Sequence, residues 1–77
     1  MLLSTMDTNG RKVKSGQTIR SKRQEQGISL RRFAFIVGFS HTYLVDVENG
    51  RRNIGIENLC KIADGLGIGV SELTEGL

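Results

Sequence analysis

The sequence predicts a compact all-α domain of five helices, and three observations carry that prediction. Leu59, Ile62, Ala63 and Leu66 follow the i, i+3, i+4, i+7 spacing of a core-facing helix. No stretch alternates apolar and polar residues over the length of a strand, so no sheet is expected. Gly and Ser punctuate the chain at Gly27, Ser29, Gly38, Ser40, Gly50 and Gly67, with no Pro anywhere.

Residues 1–14 are polar, contain Asn9-Gly10 and lack periodicity, which predicts a flexible N-terminal arm. The stretch is either start-site residue, with Met6 as an alternative start, or a basic arm that touches phosphate through Arg11, Lys12 and Lys14. The folded domain is expected over residues 15–77. Its first helix runs from about Gly16 to Gln26 and stops at Gly27. The second starts after Ser29, a capping residue, and ends at Gly38; the third starts after Ser40 and ends at Asn49-Gly50. The fourth spans about Ile56–Leu66, and a short fifth spans about Ser71–Glu75.

Seventy-seven residues make one small domain with a marginal core, for which a second subunit is a plausible source of stability. The net charge is only +3, but it is unevenly spread. Eight of the 11 basic residues lie between Arg11 and Arg32, where Glu25 is the only acid; residues 41–77 hold three basic and six acidic side chains. One basic end suits a phosphate backbone, or else marks a solvated helix face. One Cys and one His cannot build a zinc site, so no metal or cofactor is expected. Cys60 reads as a buried thiol in an apolar helix, and a lone thiol fits a reducing cytoplasm. The sequence shows neither a signal-peptide core nor a membrane span. No nucleophile–base arrangement is apparent, and Ser29, Ser40 and Ser71 are better read as helix caps, so an enzyme is not expected.

The most informative stretch runs from Leu30 to Val47. Ala34 is followed after four residues by Gly38, Leu44 comes six later and Val47 three after that, with apolar Phe33, Val37 and Phe39 between. This is the spacing of a helix-turn-helix formed by helices 2 and 3. Ala34 gives the small side chain at the crossing, and Gly38 tolerates the positive φ of the turn. Phe33 and Val37 hold helix 2 on the core; Leu44 and Val47 share the inner face of helix 3. His41, Thr42, Val45 and Asp46 are left on its outer face, where a recognition helix meets base edges in a major groove.

Residues about 17–73 resemble the Cro/repressor-type (XRE) helix-turn-helix proteins, which include lambdoid repressors and restriction-modification controller proteins. The matching text is Arg23, Gly27-Ile28-Ser29, Phe33-Ala34, Gly38-Phe39-Ser40, Tyr43-Leu44, Glu48-Asn49-Gly50-Arg51-Arg52-Asn53, Leu59, Ile62-Ala63, Leu66-Gly67-Ile68 and Glu72-Leu73. The run from Thr42 to Asn53 is especially like the controller proteins. The resemblance implies a five-helix, lambda-repressor-like fold with about Ser40–Asn49 as recognition helix, and an ion pair between Arg23 and Glu48. It also implies that Ser40, His41 and Thr42 read bases and backbone, that Tyr43 contacts a phosphate or base edge, and that Arg51, Arg52 and Asn53 grip phosphates.

The chain departs from the family in several places. Leu30 stands where Gln often bonds a phosphate. Arg31 and Arg32 replace residues that are often acidic; they add phosphate attraction near a duplex and are otherwise solvent charges. Phe35 and Ile36 occupy usually polar positions: one of them is expected to extend the core, and the alternative is a protein-binding surface. Asp46 either accepts from a cytosine amino group or pairs with a nearby Arg, and Val45 is placed to pack on a thymine methyl. Ile68, Val70, Leu73 and Leu77 either pair two subunits or close the monomer core. The expected function is a sequence-specific, double-stranded-DNA-binding transcriptional regulator acting as a homodimer. The alternative is an antitoxin or accessory module that binds a partner through Phe35 and Ile36.

Overall fold

A computed structural model describes the backbone of residues 2–74 and the side chains of residues 14–74. Five helices follow in order: α1 (Leu2–Glu25), α2 (Leu30–Val37), α3 (His41–Glu48), α4 (Ile56–Leu66) and α5 (Val70–Thr74), with no strand among the described residues. Every helix contributes to one core: Ile19 from α1, Phe33 and Ala34 from α2, Leu44 and Val47 from α3, Leu59, Ile62, Ala63 and Leu66 from α4, and Leu73 from α5. α1 packs against α3, α4 and α5, while α2 packs against α3 and α4.

The helix ends follow from local chemistry. Ser29 Oγ accepts from the Arg32 N–H at 3.1 Å, and Ser40 Oγ accepts from the Tyr43 N–H at 3.1 Å, each satisfying a donor that the helix itself leaves open. Gly38 ends α2 at φ 79°, and its N–H and that of Phe39 both donate to the Ala34 carbonyl (2.9 and 3.0 Å). A side chain at that φ would clash with its own backbone, so the turn before α3 selects Gly.

Four expectations change. α1 begins at Leu2 rather than about Gly16, so the stretch expected as an irregular arm is helical in its backbone. Without Pro, nothing in that stretch blocks i→i−4 bonding, and a Gly inside a helix costs only about 1 kcal/mol relative to Ala. Neither Phe35 nor Ile36 extends the core: they are 86% and 50% exposed. The inward arc of α2 is centred between Phe33 and Ala34, and at 100° per residue Phe35 points about 150° away from it. Leu73 is 1% exposed and closes the monomer's own core, with Ile68 and Val70 packed beside it, so Leu73 offers no surface to a second subunit. Leu77 lies outside the described residues. Finally, Cys60 is half-buried, because it sits at the flank of the Leu59–Ile62–Ala63 stripe.

Two long-range ties were not legible as pairs. The Gln26 side-chain amide donates to the Leu66 carbonyl at 2.6 Å, joining the end of α1 to the end of α4. Gly16 faces the end of α3: a Cβ there would meet the Val47 carbonyl oxygen and lie 2.7 Å from that of Glu48. The two backbones are in direct contact at this point, which fixes how close α3 stands to α1.

Candidate nucleic-acid interface

α3 is fixed from its inner side. Leu44 and Val47 are buried, and Glu48, one residue on, is turned inward onto α1. Arg23 Nε donates to Glu48 Oε2 at 2.8 Å and Nη2 to Oε1 at 3.0 Å, while Nη1 donates to the Ile28 carbonyl at 2.7 Å. One guanidinium thereby joins α1, α3 and the segment before α2. The hydrogen bond to Glu48 raises the Arg23 pKa above its ordinary value, against the opposing effect of burial. A buried, forked pair of this kind holds an orientation more than it adds stability.

With that side occupied, the outer arc of α3 is set. Thr42 is exposed; His41, Val45 and Asp46 are half-buried. Ser40 is exposed, but its hydroxyl oxygen is engaged as the helix cap. Tyr43 lies at the edge of the arc. Its ring meets Phe39 edge-on at 5.1 Å, and its hydroxyl accepts from Asn58 Nδ2 at 3.2 Å. Val45 lines a shallow cleft of about 140 Å³ with Arg20, Arg23, Leu30, Glu48 and Asn49, so it faces the start of α2. Arg31 and Arg32 follow Leu30 there and are exposed.

The loop after α3 folds back onto the helix. The Arg51 N–H donates to the Asp46 carbonyl at 2.8 Å. Asp46 Oδ1 stands 4.0 Å from Arg51 Nη1, and Oδ2 stands 3.6 Å from Arg52 Nε. The Arg52 guanidinium also lies over the Tyr43 ring, 5.2 Å from its centroid. Asn53 is exposed beyond it. Of the two readings of Asp46, the structure shows the arginine pair. Thus Tyr43, Asp46, Arg51 and Arg52 form one cluster, while Arg31 and Arg32 stand apart at the start of α2.

The sequence reading missed Asn58, which orients Tyr43, and Arg20, which shares the cleft with Val45. Arg20 lies three residues before Arg23, so its place on the same side of α1 was available from helical spacing. Asn58 carried no such signal, because it meets Tyr43 only through the packing of α4 beside α3.

The comparisons with known proteins bear on this geometry. A family model described as helix-turn-helix matches residues 19–73, which spans α2, α3, the Arg23–Glu48 pair and the Asp46–Arg51–Arg52 cluster. The chain belongs to the helix-turn-helix family. Among its relatives is the control protein C.MunI of a Mycoplasma species, 39% identical over 66 residues, 84% of this chain and 89% of that protein. The control protein C.BamHI of Bacillus amyloliquefaciens is 32% identical over 69 residues, 88% of this chain and 85% of that protein. The crystal structure of the restriction-modification controller protein C.AhdI from Aeromonas hydrophila superposes with a TM-score of 0.77 at 39% identity, covering 79% of this chain and 92% of that one. The XRE-type resemblance and its controller-protein flavour are borne out, and with them a DNA-binding transcriptional regulator built on α2 and α3. Among the described residues, no helix of this XRE-type domain is long and apolar enough to cross a membrane.

Proposed function

We propose that this helix-turn-helix regulator binds a two-fold operator as a homodimer in the cytoplasm, by recognition without catalysis, and belongs with the control proteins in its regulatory role. The observation that carries the proposal is the fixed presentation of α3: its inner arc is buried and pinned by Arg23–Glu48, and its outer arc is open beside Arg51 and Arg52. Each subunit lays α3 in a major groove, with half-site centres one turn, about 34 Å, apart. Ser40, His41, Thr42, Tyr43 and Val45 form the reading surface, and Asp46 stands beside it, facing Arg51 and Arg52. Arg31, Arg32, Arg51, Arg52 and Asn53 take phosphates and set the register. Pairing uses the α4–α5 end, where Ile68 and Val70 remain half-buried.

Selection of binding sites from random duplexes tests this directly, and a palindromic consensus is the expected result. Four Arg–phosphate contacts in each of two subunits give a salt slope on the order of −7, so binding insensitive to salt refutes the reading. Sedimentation as a monomer at high micromolar concentration refutes the homodimer.

A second reading keeps the same fold as an antitoxin or accessory module. It is favoured by one observation, the 86% exposure of Phe35, which a DNA-only role does not use. Co-purification of a partner that is lost on Phe35→Ser supports it.

A further inference from the structure

A domain that takes its affinity from phosphates is weakened by a carboxylate beside its reading face. Asp46 is nevertheless there, the only acid on the outer arc of α3, since Glu48 is turned inward onto Arg23. Its side chain is 26% exposed and faces two cations, Arg52 at 3.6 Å and Arg51 at 4.0 Å. These separations are longer than direct hydrogen bonds, so the carboxylate attracts both guanidinium groups while leaving their donors open.

The arrangement is anchored from several directions. The Arg51 N–H bond to the Asp46 carbonyl, 2.8 Å long, ties the loop to the same residue whose side chain neutralises it. Arg52 is held between the Asp46 carboxylate and the Tyr43 ring, three residues apart on α3 and so on one side of the helix. Tyr43 is in turn fixed by the Phe39 ring and by Asn58. A loop with two arginines therefore presents a net charge near +1, with one guanidinium in a set pose.

We propose that Asp46 is a specificity-determining residue that acts through Arg51 and Arg52, an inference that rests on the DNA-binding reading above. On a duplex that does not fit α3, phosphates must draw the arginines away from Asp46, and the loop's contribution to binding is small. On a duplex that fits, α3 seats deeply enough that the phosphates come to the arginines where Asp46 and Tyr43 already hold them. Asp46 thus weakens binding to arbitrary sequence more than binding to the operator.

The test compares a duplex selected from a random pool with a shuffled duplex of the same composition, over a salt series. Asp46→Asn keeps the shape and removes the charge. It is expected to tighten binding to the shuffled duplex about three- to tenfold and to steepen its salt slope by about one for each subunit engaged. The selected duplex should change less than about twofold, so the preference falls. Glu25→Gln, an exposed position at the end of α1, adds the same unit of charge and should leave the preference intact. In an Arg51→Gln/Arg52→Gln background, Asp46→Asn should no longer alter the preference. An equal change on both duplexes, the same shift from Glu25→Gln, or an effect that survives without the arginines overturns the inference. Wild-type protein with no preference between the two duplexes overturns the sequence-specific operator reading proposed above, and this inference with it.

Discussion

Replacing Gly16 with Ala pits two physical effects of opposite sign against each other. Gly16 lies inside α1, where Ala is the better helix former by about 0.5–1 kcal/mol, so propensity alone predicts stabilisation. The tertiary structure predicts the reverse. The new Cβ would meet the Val47 carbonyl oxygen and stand 2.7 Å from that of Glu48, about 0.7 Å inside ordinary contact. Both neighbours are backbone atoms at the end of α3, so no side chain can rotate out of the way. α1 and α3 must separate, and overpacking of this kind costs about 1–3 kcal/mol. The separation also stretches the Arg23–Glu48 hydrogen bonds, which are 2.8 and 3.0 Å long and span the same two helices. The net expectation is destabilisation by about 1–2 kcal/mol, a fall in Tm of roughly 5–15 °C for a domain of this size. Thermal and urea unfolding followed by circular dichroism measure it. Gln17→Gly beside Gln17→Ala supplies the propensity difference at the neighbouring exposed position. A Gly16→Ala protein more stable than wild type refutes the close-approach argument.

Other substitutions separate structural from functional roles. Glu48→Ala leaves the buried Arg23 charge without its carboxylate and should lower stability by about 3–5 kcal/mol in urea unfolding, whereas a joint Arg23→Met/Glu48→Leu replacement should recover most of that loss. The Arg23 pKa is raised, so its contribution is complete below the pKa of the unfolded chain and is lost only as pH climbs through the higher folded value. Arg23 therefore contributes no pH dependence to unfolding between pH 6 and 9 (roughly the range of ordinary buffers), and a stability step there that disappears in the joint replacement contradicts this assignment. Phe35→Ser should shift stability by no more than about 0.5 kcal/mol, because the ring is solvent-exposed; a loss of several kcal/mol in the same urea titration shows that it packs after all.

Local chemistry is the part of this domain that the chain states for itself. Ser29 and Ser40 cap the helices that follow them, Gly38 supplies the turn, and the Leu59–Leu66 stripe faces inward, because each depends on residues within one or two helical turns. Arg23 and Glu48, 25 residues apart, became a pair on paper only through resemblance; nothing in their spacing selects one another. The core role of Ile19 and the Gln26 bond to Leu66 gave no comparable signal.

By itself the sequence determined four helices nearly to the residue, the helix-turn-helix geometry and the outward arc of α3, since periodicity of 3.6 residues and cap preferences are local properties of a chain. Only the tertiary structure decided that α1 and α3 touch backbone to backbone at Gly16, that Leu73 belongs to the monomer core, and that Asp46 faces two arginines. Those outcomes depend on which distant surfaces meet, and a side chain with two partners within reach is assigned only when the elements carrying them have packed.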